Sequence, residues 1–237
     1  MPIDTSKRSD AAETMDDFSM EGEVLKDALN KIADINKLLG GNKVTIQGVK
    51  ELIENVQKKR TISILDVGCG NGDMLRALAK FGTKHGILFK LTGMDANQFT
   101  VNHAKSLSEN HPNISYVCED IFGVDSDLNT FDIILCTLTL HHFKDNEIIQ
   151  LLERFDKMAN IGIVINDLHR SKKAYYLFKG ICAIFGLNEM SREDGLVSIL
   201  RGFKRKDLYH YSQKLNFKNF TIRWKWAFRY QWIIRTT

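Results

Sequence analysis

The sequence predicts an α/β chain built as a Rossmann-like parallel sheet with helices on both faces. Three observations carry that prediction. Ile62, Ile64, Leu65 and Val67 favour a strand that leads into glycines at alternate positions, Gly68, Gly70 and Gly72, and then into a helix with Met74, Leu75, Leu78 and Ala79 on its buried face. Apolar runs of strand length then alternate with helical patterns as far as Asn166. Right-handed crossovers between parallel strands place the loop after every strand on one edge of one sheet, where such folds bind ligands. A chain of 237 residues with only Pro2 and Pro112 to interrupt its elements can bury a sizeable core without disulfides.

Taken in order, residues 1–22 hold little apolar material, and a disordered tail is expected there. From Glu23 a helical stripe runs through Leu25, Ala28, Leu29, Ile32, Ile35 and Leu39 and stops at Gly40 and Gly41. A short helix with Val49, Leu52, Ile53 and Val56 inward follows. Residues 23–59 therefore form a helical cap, either packed on the sheet or closed over a substrate. The main domain is 60–237. After strand 62–67 and helix 73–81, a break at 82–86 precedes a strand at 87–95 that ends in Asp95. Asn97 opens the next helix, which stops near Pro112.

Ile114–Cys118 is the third strand, and Asp120 and Ile121 follow it. A polar turn at 125–130 leads to the strongly apolar run 131–136, which reads as a central buried strand, and its end delivers Thr137, His141 and His142. Helix 146–158 returns the chain to a fifth strand at 161–165. An insertion at 171–203 begins with the broad apolar helix Lys172–Phe185, readable as a substrate roof, a core helix or a shallow membrane contact. A turn is expected at Asp194 and Gly195. Helix 204–215 and two aromatic-rich strands, 217–226 and 227–234, close the chain.

The glycine spacing is not that of the dinucleotide fingerprint, because Asp73 stands where its third glycine belongs. An acid, Asp66, followed by Gly68, Gly70 and Gly72 resembles instead the first motif of the class I S-adenosylmethionine-dependent methyltransferases. The resemblance spans about Glu23 to Thr237 and is strongest from Ile62 to Arg170. It implies a seven-stranded sheet closed by an antiparallel pair, with S-adenosylmethionine as cofactor. The implied cofactor residues are Asp66, Gly68, Cys69, Gly70 and Gly72 around the amino-acid end, Asp95 and Ala96 at the ribose, Asp120 and Ile121 at the adenine, and Thr137 beneath the transferred methyl. Within the family the chain looks most like bacterial small-molecule O-methyltransferases of phenolic-lipid and polyketide-type pathways, and more loosely like quinone-pathway enzymes. The implied acceptor is a small apolar phenolic or quinol-like hydroxyl.

An oxygen nucleophile must lose its proton, and imidazole titrates in the right range. His142 is the favoured base, His141 its neighbour and His169 the reserve. No metal site is expected: the acidic set of catechol-type methyltransferases is incomplete, and no spacing among His141, His142, Asp167 and His169 signals zinc. An NAD-dependent reductase and a noncatalytic cofactor-binding or RNA-binding scaffold are the alternatives. Asp95 would serve a reductase's ribose too, but the glycine spacing and the missing Tyr-x-x-x-Lys pattern argue against it.

A formal charge of +4 is too small to indicate nucleic acid. The basic residues after Leu200 mark either an anionic partner face or a solvated rim. With no secretory leader, no membrane-length apolar run and four dispersed cysteines (Cys69, Cys118, Cys136 and Cys182), a cytoplasmic location is expected. Transient contact with a membrane surface stays open, and nothing in the sequence bears on oligomeric state.

Overall fold

The computed structural model describes residues 3–56, 60–124 and 130–236. Most of the turn expected at 125–130 lies outside the described residues, as does Pro2. Seven strands form one sheet: β1 (Ile62–Val67), β2 (Phe89–Asp95), β3 (Ile114–Cys118), β4 (Phe131–Thr137), β5 (Ala159–Leu168), β6 (Asn219–Lys225) and β7 (Arg229–Arg235). Their order is β3-β2-β1-β4-β5-β7-β6, parallel through the first five and antiparallel at β7 and β6. The order reverses between β1 and β4, the switch point beside which open α/β sheets bind ligands. The expected seven-stranded sheet with its antiparallel closure is what the chain adopts.

Helices cover both faces. In chain order they are α1 (Glu23–Leu38), α2 (Gly41–Ile53), α3 (Asp73–His85), α4 (Gln98–Leu107), α5 (Asp145–Met158), α6 (Lys172–Phe185), α7 (Glu189–Arg201) and α8 (Arg205–Lys214). The apolar run of β4 is split between two cores. Ile133 and Leu135 meet the α2–α3–α4 side, while Ile134 and Cys136 meet the α5–α8 side with Phe155, Leu208 and Trp232. A strand buried on both faces needs apolar residues at every position, which is why this run lacks alternation.

The two readings of the cap divide between its helices. α2 lies on the sheet, where Gly48 lets its backbone approach Val164 so closely that a Cβ would fall 2.6 Å from Val164 Cγ1. α1 instead turns Leu25, Leu29, Ile32 and Ile35 toward a cavity. α6 likewise walls that cavity with Ala174, Leu177, Phe178 and Ile181 and leaves Tyr176 and Ile184 exposed. No helix among the described residues is long and apolar enough to cross a membrane.

Three local expectations are corrected. α3 does not break at Gly82: that glycine sits inside the helix against Phe89, and the helix ends at Gly86, whose φ of +66° makes the left-handed cap. Asp194 and Gly195 are not a turn but lie within α7. Gly195 is required there because a Cβ would collide with the Phe178 ring, and the Asp194 carboxylate accepts from the backbone N–H groups of Thr14 (2.8 Å) and Met15 (3.0 Å). The N-terminal segment, expected as a disordered tail, instead lies along the domain, where Arg170 donates to the Thr5 carbonyl at 3.1 Å. Its contacts are polar, so apolar content did not reveal them. Arg8 donates to the carbonyls of Arg201, His141 and Phe143 and pairs with Asp145 at 2.7 Å.

Candidate active site

Every loop at the carboxyl end of the parallel strands opens into one cavity of about 1450 Å³, roofed by α1, α6, α7 and the N-terminal segment. The loop after β1 holds Gly68, Gly70 and Gly72 at φ of +69°, +52° and +76°. A side chain at Gly68 would strike Thr139, and one at Gly72 would strike Tyr116. At Gly70 a Cβ would meet only Leu29 Cδ2 at 3.8 Å, so this backbone faces open cavity. The loop is thus packed tightly on its protein side and left free on its cavity side, a cradle for close approach of a ligand.

Asp95 is fixed at the end of β2, where its carboxylate accepts from the backbone N–H groups of Gly70 (3.0 Å) and Asn97 (3.1 Å). Burial pushes its pKa up against those hydrogen bonds. Asp66 is buried beneath the glycine loop with Oδ1 unpartnered, and desolvation together with the nearby Asp73 and Asp95 charges holds its pKa well above the carboxylate range. Ala96 borders the cavity beside Asp95. Asp120 is exposed at the cavity rim, where its Oδ1 accepts from Phe122 N–H at 2.9 Å, while Ile121 is buried beside it. The Thr137 hydroxyl lies 3.2 Å from that of Thr45. Cys69 meets the cavity, but its thiol packs into the core, where burial pushes its pKa up.

Asp66 sets a pH dependence whose sign can be worked out. A carboxyl with a raised folded pKa keeps its proton where the unfolded chain has lost it. Stability therefore falls as pH climbs above about 4 toward the folded value. Asp66→Asn removes that loss. Thermal denaturation should show the variant more stable than the parent at pH 7, by about 1–3 kcal/mol for relief of an unpaired buried charge, with the gap closing in acid. A parent that is the more stable at pH 7 would contradict this account.

The turn after β4 brings both predicted histidines to the cavity. His141 is buried, its Nδ1 2.7 Å from Asp167 Oδ1, and its backbone N–H donates to Asp167 Oδ2. His142 is partly exposed, with Nδ1 2.6 Å from Asp16 Oδ1. Both Nε2 atoms face Glu13, at 3.8 and 3.9 Å. His169 is elsewhere: its Nδ1 accepts from Trp224 Nε1 at 3.2 Å, its ring packs on Phe228 and Tyr230, and it does not line the cavity.

Four cavity residues were missed in the sequence. Glu13, Asp16 and Arg201 are joined to the histidine pair by chain separations that no local pattern signals. Arg229 had a signal, a charge inside a buried strand. Its Nε and Nη1 have no hydrogen-bond partner among the described residues, and burial pulls its pKa down to about 10.

A family model described as a methyltransferase domain matches residues 64–162. That match makes this stretch similar to methyltransferase domains, over less than half of the chain. The chain is 34% identical over 128 residues to a ubiquinone biosynthesis O-methyltransferase of Coxiella burnetii, covering 52% of the chain and 51% of the relative. It is 26% identical over 117 residues to des-methyl DIF-1 methyltransferase A of Dictyostelium discoideum, covering 48% and 32%. The chain thus spans about half the length, or less, of these curated relatives. The plantazolicin methyltransferase BpumL, solved with SAH, shares the fold at a TM-score of 0.67 and 17% identity over 90% of this chain and 94% of that one. A magnesium protoporphyrin IX methyltransferase from Synechocystis, also with SAH, aligns at a TM-score of 0.56 and 15% identity, covering 84% of each chain.

Proposed function

We propose that the chain is an S-adenosylmethionine-dependent O-methyltransferase whose acceptor is a small apolar phenol or quinol. The observation that carries this reading is the convergence of the glycine cradle, Asp95 and the His141–His142 turn on one cavity with apolar walls from α1 and α6. The cavity residues fit the cofactor. The open cavity side of Gly70 admits its amino-acid end, the unpartnered Asp66 Oδ1 accepts from its ammonium, and the unpartnered Arg229 holds its carboxylate. Asp95 takes the ribose hydroxyls, and Ile121 lies against the adenine with Asp120 at its edge. When bound, the sulfonium supplies an electrophilic methyl group for in-line displacement.

The chain's own residues then have two tasks. Leu29, Ile32, Leu177, Phe178 and Ile181 exclude water and orient the acceptor, which shortens the approach to a near-attack geometry. The His141–His142 turn assists removal of the hydroxyl proton, with His142, the more exposed of the two, nearer the acceptor side. His169 takes no part.

Asp95→Ala tests the cofactor assignment. Loss of a charge-assisted hydrogen bond of about 1.5–3 kcal/mol should weaken S-adenosylhomocysteine binding about 10- to 100-fold in a calorimetric titration. Unchanged affinity would overturn the ribose role. A panel of phenols and quinols, followed by mass spectrometry for a single added methyl, tests the acceptor class; turnover confined to thiols or amines would reject it.

A further inference from the structure

We propose that Glu13, His141 and His142 bind a divalent metal ion of the zinc or iron(II) type at the acceptor end of the cavity. Its binding role stands on the geometry alone, whereas its catalytic role rests on the methyltransferase reading.

One carboxylate oxygen and one nitrogen from each imidazole lie within 4.8 Å of one another. His141 Nε2 is 3.8 Å from Glu13 Oε1, and His142 Nε2 is 3.9 Å from Glu13 Oε2. These separations are too long for hydrogen bonds. Ligand atoms about 2.0–2.2 Å from a common ion sit roughly 3–3.5 Å apart, so binding an ion means drawing the two imidazoles and the carboxylate somewhat closer together.

Two further observations point inward to a cation. Glu13 Oε1 and His141 Nε2 are both buried without a hydrogen-bond partner among the described residues, and Glu13 is only 6% exposed and His141 2%. A buried acceptor left unpaired is costly, and an ion at this point satisfies both atoms at once. Each imidazole also places its other nitrogen against a carboxylate, His141 Nδ1 on Asp167 at 2.7 Å and His142 Nδ1 on Asp16 at 2.6 Å. That contact fixes the Nδ1–H tautomer, so both Nε2 lone pairs turn toward Glu13, the arrangement that accompanies metal-ligating histidines.

Charge favours the ion as well. Glu13, Asp16 and Asp167 surround the pair; Arg201 faces two of them, 2.6 Å from Asp16 Oδ2 and 3.7 Å from Glu13 Oε1, and the buried Arg229 acts on Asp167. Three carboxylates against two guanidinium groups leave a net negative charge facing the site, which favours a cation there. Glu13 is further held by Ser198, whose hydroxyl donates to Oε2 at 2.7 Å. Two histidines and one carboxylate leave open coordination positions, the pattern of catalytic rather than structural sites.

An acceptor hydroxyl in such a position would lose its proton to solvent water as the metal lowers its pKa. The oxygen lone pair then forms the C–O bond while the S–C bond breaks and its electron pair stays on sulfur. With the ion bound, the imidazoles would assist deprotonation as its ligands.

The test uses the untagged chain, stripped with chelator and titrated with Co²⁺ as a spectroscopic probe and then with Zn²⁺ in competition. The expected result is one equivalent bound per chain, with visible absorption bands of a histidine-ligated Co²⁺ that Zn²⁺ abolishes. Glu13→Gln, which keeps the side chain's volume, should weaken binding more than about 100-fold, and Asp16→Asn, acting through His142, about 10- to 100-fold. S-adenosylhomocysteine titration of the same samples reports whether each variant is folded and tests the methyltransferase reading separately. Binding of Co²⁺ without the nucleoside ligand would support the metal site and reject the cofactor; nucleoside binding with no Co²⁺ bands, or bands unmoved by Glu13→Gln, would overturn the metal site.

Discussion

Replacing His142 with alanine is expected to lower kcat by about 10²- to 10⁴-fold, the range by which a positioned proton-handling group accelerates transfer. The side chain joins the acceptor end of the cavity through Nε2, which faces Glu13, and is oriented through Nδ1 by Asp16. The cofactor cradle is built from other elements, the loop after β1 and the end of β2. S-adenosylhomocysteine should therefore bind the variant with an affinity within about threefold of the parent, because an interaction made only with the reacting group leaves ground-state binding of the cofactor in place. Single-turnover kinetics at saturating cofactor separate the two quantities. Equal rates in parent and variant would remove His142 from the chemistry, and parallel loss of rate and cofactor affinity would make it a structural residue of the turn.

Gly68→Ala should be the most damaging change in the cofactor cradle. The residue has φ of +69°, which costs a side-chain-bearing residue about 1–2 kcal/mol, and overpacking adds about 1–3 kcal/mol. The new Cβ would fall 2.9 Å from Thr139 Cβ and closer still to the rest of that side chain, which itself donates to the Gly68 carbonyl at 3.3 Å. Together these predict a loss of about 2–5 kcal/mol in stability, seen in denaturant unfolding, and the displaced loop should no longer bind S-adenosylhomocysteine measurably. Gly70→Ala separates the two effects. Its φ of +52° carries the same backbone cost, but the methyl meets only Leu29 at 3.8 Å. That variant should lose about 1–2 kcal/mol of stability and still bind poorly, since its methyl projects into the open side of the cradle. Tight binding by Gly70→Ala would show that no ligand approaches that backbone.

The sheet was legible because its signals are local. An apolar run, a glycine turn and a helix period each depend on neighbouring residues, and the order of those units sets which loops share an edge. The glycine spacing and the acids Asp66, Asp95 and Asp120 stand at the carboxyl ends of three successive strands for the same reason. His141 and His142 were legible as a pair on the turn after β4, but their partners were not. Glu13 and Asp16 come from a polar segment whose composition argued for disorder. Its placement depends on Asp194 capping its backbone and on Arg8 and Arg201 reaching backbone carbonyls, contacts that leave no periodicity in sequence. The same long-range bonding turned the expected Asp194–Gly195 turn into a continuous helix: the polar and small residues that suggested a turn are used for a cap and for close packing on Phe178. His169 illustrates the converse error. Its position after a strand suggested reactivity, but β5 continues through Leu168 and the hairpin aromatics claim the ring.

The most direct measurement is calorimetric titration of the purified chain with S-adenosylmethionine, S-adenosylhomocysteine and NADH in parallel. Saturable binding of the first two at one site per chain, lost in Gly68→Ala and weakened in Asp95→Ala, with no heat from NADH, is the predicted result. Binding of NADH alone, or silence from both sulfur nucleosides, would contradict the methyltransferase reading.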